Sequence, residues 1–322
     1  CNACAQECPI NINHPSIIVG MRRYLVMEES AAPGELNAIF SNIENNGAPW
    51  QFAQDDRVLW ADGKVEVPMM ADLMAQGEQP EYLLWVGSAG AFDDRYKQVS
   101  VAFAKVLNHL GISYGVLGAE ESSSGDVARR AGNEMLYQMQ AMMNIEILNG
   151  YGVKKIITCD PHAYNTLKNE YPDLGGEYEV IHHSQLLRDL MKQGKLSLDG
   201  GSLAGKKITF HDPCYLGRAN GEYQAPREVL GALGTTVEMK RNKSFALCCG
   251  AGGGQMFKEA EKGDKEVFME RTEDALETGA DIIATACPYC MVMMTDGLKY
   301  KNKEEEISNY DIAELVAKNL GL

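Results

Sequence analysis

The residues that could do chemistry in this chain are its cysteines. There are nine in 322 residues, and most stand in tight groups: Cys1, Cys4 and Cys8; Cys248 and Cys249; and Cys287 and Cys290. Cys159 and Cys214 stand apart. In a chain of this size, grouped cysteines more often bind a metal or do redox chemistry than form a disulfide framework. We therefore predict metal or cluster ligation, with disulfides or unrelated buried thiols as the alternatives.

Five cysteines in the last third of the chain share one spacing pattern. They are Cys214, Cys248, Cys249, Cys287 and Cys290. Each group follows a predicted strand, and ligand sites form at the carboxyl ends of parallel strands. Five thiolates are one more than a tetrahedral zinc site takes, whereas an iron–sulfur cluster uses thiolate ligands and can be larger. The spacing therefore predicts an iron–sulfur site.

A glycine-rich run, Gly250 to Gly254, follows the adjacent cysteine pair. Glycines there let the backbone approach a bulky inorganic centre and donate N–H groups to its sulfides. The rival interpretation is a phosphate-binding loop. A dinucleotide fingerprint would need glycine where Gln255 stands, and no Gly-Lys-Ser/Thr follows.

Strands and helices, which must position these cysteines, alternate regularly from residue 82 onward. Strands are predicted at Tyr82–Val86, Ser113–Leu117, Lys154–Thr158, Lys207–Phe210, 235–239 and Asp281–Thr285. Helices are predicted at 95–110, 127–149, 223–233, 254–278, 288–297 and 310–320. This alternation predicts an α/β fold with parallel sheets. Before residue 82, helices are predicted at Ser16–Glu29 and Gly34–Asn45. Residues 51–80 are predicted to form a connecting segment.

The alternating part of the chain consists of two copies of one unit. Matched motifs stand 126, 125 and 127 residues apart, a nearly constant offset. We place the copies at 81–200 and 201–322, after an N-terminal segment at 1–80. In the first copy the cysteine positions hold Ser88, Ser123, Ser124, Asp160 and Ala163. Hydroxyls do not supply the anionic soft donors of an iron–sulfur site, so this copy is expected to be structural and free of metal.

The second copy resembles a known family. The cysteine spacing, with the segments 211–218 (HDPCYLGR) and 248–253 (CCGAGG), is similar to the cysteine-rich CCG motif of the B and D subunits of heterodisulfide reductase. The same motif occurs in iron–sulfur subunits of glycolate oxidase and anaerobic glycerol-3-phosphate dehydrogenase, and in lactate-utilisation proteins. The resemblance covers residues 80–322. It implies a CCG-bound [4Fe–4S] cluster, noncubane in some members, that exchanges electrons with a disulfide, quinone or flavin partner.

The N-terminal cysteines form a second signal. Cys1-x2-Cys4-x3-Cys8-Pro9 matches the end of the bacterial ferredoxin run C-x2-C-x2-C-x3-C-P. Cys1 and Cys4 would be two ligands of one [4Fe–4S] cluster, and Cys8 would ligate the other. The remaining ligands are then expected upstream of Cys1. A rubredoxin-like or zinc knuckle is the alternative.

Two histidines lie near the cysteine motifs. His211 is expected to orient the Cys214 loop rather than to ligate, and His162, in the matching region of the first copy, is expected to be structural.

Composition limits the classes of partner. Thirty Lys and Arg against 45 Asp and Glu give a net charge of −15, which argues against nucleic acid as a partner. No apolar run is long enough to span a membrane. We interpret the chain as an iron–sulfur electron-transfer subunit of a heterodisulfide-reductase-like complex, between a flavin donor and a quinone or disulfide acceptor. Its expected partners are a flavoprotein or a membrane quinone-reactive subunit, with a cytoplasmic location peripheral to the membrane. The alternative is a zinc-stabilised structural or assembly subunit without redox activity.

Overall fold

The computed structural model describes residues 1–260 and 262–322 of the chain. Within them lie two four-stranded parallel sheets, of order β2-β1-β3-β4 and β6-β5-β7-β8. The strands are β1 (Tyr82–Trp85), β2 (Tyr114–Gly115), β3 (Lys155–Thr158), β4 (Glu179–His182), β5 (Lys207–Phe210), β6 (Thr235–Val237), β7 (Ile282–Thr285) and β8 (Ser308–Asp311). The identical strand order confirms the predicted α/β repeat, which we call the first and second repeat.

Helices cover both faces of the sheets and form the N-terminal segment. They are α1 (Ala3–Gln6), α2 (His14–Met27), α3 (Gly34–Asn46), α4 (Met70–Ala75), α5 (Gly87–Phe92), α6 (Lys97–His109), α7 (Asp126–Ala131), α8 (Glu134–Gly150), α9 (Pro161–Asn169), α10 (His183–Lys192), α11 (Gln224–Leu233), α12 (Val267–Leu276), α13 (Pro288–Tyr300) and α14 (Ile312–Leu320). No helix of the described residues is both long enough and apolar enough to cross a bilayer.

The predicted single helix at 127–149 is wrong, because the chain breaks between α7 and α8. Gly132 has φ +99°, a left-handed conformation that favours glycine. A Cβ at this position would lie 2.5 Å from the backbone carbonyl of Arg22 on α2. Asn133 then caps α8 by accepting a hydrogen bond from Leu136 N. The break lets the N-terminal segment approach the first repeat closely.

Other predicted bounds also differ from the structure. Within the predicted helix at 254–278, a 3-10 turn covers Gln255–Phe257 and α12 begins only at Val267, while residue 261 lies outside the described residues. The outer strands β4 and β8 were not predicted, and the helix predicted from 310 begins at Ile312. β4 and β8 are four residues long and carry polar residues, so they lack the apolar run that indicates a buried strand.

The largest apolar core is shared by the two repeats. It includes Phe103 and Leu187 from the first repeat and Ile208, Ile282 and Val316 from the second, all at most 5 % exposed. Helix α14 of the second repeat packs on α6 of the first, and α10 packs on α11. The repeats therefore hold a fixed relation to each other.

Polar contacts reinforce this interface. Arg95 binds both carboxylate oxygens of Glu314, at 2.7 and 2.8 Å. Tyr96 donates a hydrogen bond to Asp311, which caps α14. His182 caps α10. Its Nε2 atom lies 3.2 Å from the carbonyl oxygen of Ala286, the residue before Cys287. The first repeat thus touches the backbone that carries one of the predicted ligands.

Helices α12 and α13 approach each other unusually closely. A Cβ at Gly297 on α13 would lie 1.8 Å from Oγ1 and 2.9 Å from Cβ of Thr272 on α12. Both helices support the predicted site, since α13 begins directly after Cys287.

We expect Gly297→Ala to lower the free energy of unfolding by about 1–3 kcal/mol, because the added methyl group forces α12 and α13 apart. The matched control is Gly231→Ala on α11, where a Cβ meets nothing within 4 Å. That substitution is expected to be neutral or to stabilise by up to about 1 kcal/mol, through higher helix propensity. Urea unfolding followed by circular dichroism measures both. Equal effects of the two substitutions would contradict close packing at Gly297.

Candidate metal centre

The five cysteines of the second repeat come from three separate segments. Cys214 lies in the turn after β5, and the adjacent pair follows a 3-10 turn at Lys243–Phe245. Cys287 is the N-cap of α13, directly after β7, and Cys290 lies in its first turn. Strands β5 and β7 are parallel neighbours, so two of these segments leave the same edge of the sheet side by side.

The structure brings all five thiols into one continuous group. Sγ of Cys290 lies 3.5 Å from Sγ of Cys249. Further side-chain hydrogen bonds join Cys214 to Cys248, Cys248 to Cys249 and Cys287 to Cys290. Four of the five are buried, and Cys248 is partly exposed. The fold therefore brings the five predicted residues together in one place.

Crowding gives these thiols very different acidities. The pKa of Cys249 is lowered well below its ordinary value, first by the hydrogen bond with Cys248 and then by that with Cys290. Burial raises the pKa of Cys287, but hydrogen bonds with Cys290 and His162 outweigh burial and bring the pKa to about 7. The pKa of Cys214 is raised, first by its hydrogen bond with Cys248. Five thiolates cannot coexist here without a compensating cation, which a metal group supplies.

Two guanidinium nitrogens beside the cysteines provide a further test of fit. Arg271 is fully buried, and its Nη2 has no hydrogen-bond partner among the described residues. Nη2 of Arg218, four residues after Cys214, is likewise buried and unpaired within residues 1–260 and 262–322. Both arginines lie beside the cysteine segments, since Arg271 binds His211 and Arg218 binds Ala246 O, two residues before Cys248. An anionic iron–sulfur group would offer acceptors to such donors, so the residues present fit it.

The glycine run after the cysteine pair begins in a left-handed turn. Gly250 has φ +98°, and its N–H donates to Sγ of Cys248 at 3.3 Å. The N-terminal segment holds the far end of the run, because Arg22 on α2 donates to the carbonyls of Gly253 and Arg130. One arginine therefore ties α2 to both repeats.

The N-terminal cysteines lie apart from the group of five. Cys1 and Cys4 are exposed and Cys8 is partly exposed. Their segment nevertheless packs beside the site: Arg218 Nε donates to Cys1 O at 2.7 Å, and α1 packs against the turn Lys243–Phe245. The same guanidinium donates to the carbonyls of Ser244 and Ala246. Arg218 thus joins the two cysteine segments.

At the matching place in the first repeat, an ion pair replaces cysteine chemistry. Arg57 donates to Glu121 at 3.0 Å and to Oγ of Ser88, and both members of the pair are buried. Glu121 in turn accepts from the backbone N–H groups of Val86 and Gly87. Arg57 comes from the predicted connector at 51–80, so that segment does more than connect. Among the described residues, the one group of three or more His, Cys, Asp or Glu ligand atoms within 4.8 Å is His211, Cys249 and Cys290.

We expect Arg57→Met to destabilise the fold by about 3–5 kcal/mol, because it leaves the Glu121 carboxylate buried without its cation. Burial raises the pKa of Glu121, and Arg57 is the main opposing influence on that pKa. The double variant Arg57→Met/Glu121→Gln, which removes the charge as well, should recover much of the loss. Urea denaturation of the single and double variants measures this coupling. A single variant as stable as the parent chain would contradict it.

His162 of the first repeat reaches the cysteine group. Its Nδ1 lies 2.8 Å from Asp126, and its side chain also hydrogen-bonds with Cys287. Burial lowers the pKa of His162, but Asp126 outweighs burial and raises that pKa well above its ordinary value. Its ring packs edge-on against Tyr289 at 4.7 Å. Sequence reasoning gave His162 a structural role only. The signal was its repeat register, since an offset of 127 matches His162 to Tyr289, between the last two cysteines.

Comparison with known proteins agrees with this geometry. The cysteine-rich domain family named CCG matches residues 84–168 and 208–295. This chain belongs to that family. The structure is also similar to a crystal structure of a hypothetical protein from Helicobacter pylori, with a TM-score of 0.57 at 10% identity over 99% of this chain and 60% of the other. That likeness concerns the fold alone.

Several curated relatives of the chain are named as oxidoreductases or their subunits. The chain is 43% identical to the probable iron-sulfur-binding oxidoreductase FadF of Bacillus subtilis, and 44% identical to the EtfAB:quinone oxidoreductase of Syntrophomonas wolfei, each over 99% of this chain. It spans 46% and 45% of those proteins, about half their length. It is 35% identical to a subunit of the dihydromethanophenazine:CoB–CoM heterodisulfide reductase of Methanosarcina barkeri, over all of this chain and 77% of that protein. The predicted family resemblance is confirmed.

Proposed function

We propose that this CCG chain is an iron–sulfur electron-transfer component of an oxidoreductase. Its second repeat would hold the cluster through Cys214, Cys248, Cys249, Cys287 and Cys290. The observation that carries the proposal is one continuous group of five thiols, four of them buried, with two unpaired guanidinium nitrogens beside it among the described residues. A bound iron–sulfur group supplies one-electron redox chemistry at this place. The residues around it exclude water, supply N–H donors and fix the cysteines.

The family resemblance implies a [4Fe–4S] cluster. A fifth thiol, beyond the four that a cubane cluster uses, makes a noncubane form an outcome that spectroscopy would distinguish. Five thiols exceed the four ligands of a tetrahedral zinc site, which weighs against a zinc-stabilised structural subunit. The N-terminal cysteines Cys1, Cys4 and Cys8 would serve a ferredoxin-type cluster. Their segment is joined to the CCG site through Arg218. This contact supports electron exchange between the two proposed clusters.

The relatives' names support a quinone or a disulfide as the electron acceptor. We propose a flavoprotein as the electron donor, as the family resemblance implies. On this proposal the chain works in the cytoplasm, at the membrane surface when bound to a quinone-reactive subunit. The first repeat supports the site through the shared core and His162.

Anaerobic purification with metal and sulfide analysis tests the proposal. Iron with acid-labile sulfide, and an electron paramagnetic resonance (EPR) signal after reduction, are expected. Zinc alone, without sulfide, would instead identify a structural subunit. Mixing the chain with a reduced flavoprotein should bleach the cluster's visible absorbance. An absence of bleaching with any flavin donor, in a chain that holds iron and sulfide, would refute the proposed donor class.

We expect Cys249→Ser and Cys287→Ser each to abolish or alter the EPR signal of the cluster bound by the CCG cysteines, while the fold persists. A serine hydroxyl does not ionise in the pH range in which the protein is folded, so it leaves part of the iron charge uncompensated. The matched control is Cys159→Ser. Cys159 is also buried but has no hydrogen bond to the other cysteines among the described residues. EPR and circular dichroism measure cluster and fold separately. An unchanged EPR signal in both site variants would disprove the five-cysteine ligand set.

A further inference from the structure

His211 is a buried residue directly after β5 and is 1 % exposed. One of its ring nitrogens and the Sγ atoms of Cys249 and Cys290 all lie within 4.8 Å of one another. An imidazole so close to two thiols could ligate a metal directly, or it could donate a hydrogen bond to sulfur. These two roles need different protonation of the ring.

Arg271 decides between these roles. Its Nε donates to Nδ1 of His211 at 2.9 Å. Arginine is always protonated and has only donors, so Nδ1 must present its lone pair to Arg271. The ring proton of a neutral imidazole then sits on Nε2. That nitrogen has no free lone pair for a metal. Because Arg271 occupies Nδ1, Nε2 is the ring nitrogen available to the cysteines.

Arg271 itself is held firmly in this orientation. It is fully buried on α12, where Nη1 donates to the carbonyl of Arg241 at 2.6 Å and contacts Asp274 at 3.3 Å. The backbone of His211 is fixed as well, because its N–H donates to the carbonyl of Ala284 on β7. Arg271 therefore remains the hydrogen-bond donor, and Nδ1 of His211 remains the acceptor.

We propose that His211 donates its Nε2–H to a sulfur of the group held by the CCG cysteines, and that Arg271 is the positioning residue that fixes the tautomer of His211. The inference rests on the proposed function. A hydrogen bond to cluster sulfur stabilises the reduced, more negative state and raises the reduction potential. In this role His211 sets the potential at which the CCG site accepts an electron, and it is not a ligand.

Two substitutions of similar size distinguish a hydrogen-bond donor at position 211 from a residue that only fills the space there. Glutamine places its amide N–H near the position of Nε2, whereas asparagine reaches only to the position of Nδ1. We expect His211→Gln to keep the midpoint potential of the CCG cluster near that of the parent chain. His211→Asn should shift it downward with iron and sulfide content unchanged. EPR-monitored redox titration of the full chain measures the shift.

Three results would overturn the inference. One is equal potentials in the parent chain and His211→Asn. Another is an equal downward shift in His211→Gln and His211→Asn. The third is strong coupling of a histidine nitrogen to the cluster in pulsed EPR of the ¹⁵N-histidine-labelled chain, which would make His211 a ligand.

A second variant keeps the test decisive if His211 substitutions fold poorly. Arg271→Lys keeps a buried cation but removes the guanidinium, so His211 is free to change tautomer and the potential should fall. An unchanged potential in folded Arg271→Lys would count against the tautomer lock. Iron and sulfide analysis of the parent chain is done first, because absence of the cluster there refutes the proposed function and not the role of His211.

Discussion

Parallel pairing of β5 with β7 is the constraint on which the cysteine site depends. Phe210 pairs with Ala284, and the next residue, His211, donates its N–H to the same strand. The two chains therefore leave the sheet edge together, and Cys214 and Cys287 follow within a few residues. All other members of the site are placed relative to this pair, because α13 starts at Cys287 and α12 packs on α13 without space for a side chain at Gly297.

Charge explains the contrast between the two repeats. At the edge of the second repeat, five thiols lie together, and their ionised form carries more negative charge than the neighbouring Arg218 and Arg271 can offset. At the edge of the first repeat, the chain provides its own cation, Arg57, paired with buried Glu121 and bound to Ser88. Both edges therefore compensate buried negative charge, one through a bound inorganic group on our proposal and the other through a permanent guanidinium. The ion pair of Arg57 and Glu121 thus stands in the first repeat where the second repeat has its cysteines, and both repeats keep the same sheet.

Arginines also connect the N-terminal segment to the body. Arg22 binds carbonyls of both repeats, and Arg218 binds Cys1 O together with carbonyls next to Cys248. Since carbonyl groups at turns and helix ends lack partners within their own elements, a guanidinium can satisfy several of them at once. The arrangement holds the two cysteine segments in a fixed relation, which an electron-transfer chain requires.

The repeat, the parallel α/β class and the convergence of the five cysteines can all be predicted from the amino-acid sequence, because each depends on local periodicity and on the rule that sites form at the carboxyl ends of parallel strands. Four features appear only once the chain is folded: the break at Gly132, the position of Arg57 in the first repeat, the contact of His162 with Cys287 and the pairing of Arg271 with His211. Each of these contacts joins residues far apart in the chain. Such contacts depend on how closely two packed elements approach, and no local pattern encodes that distance.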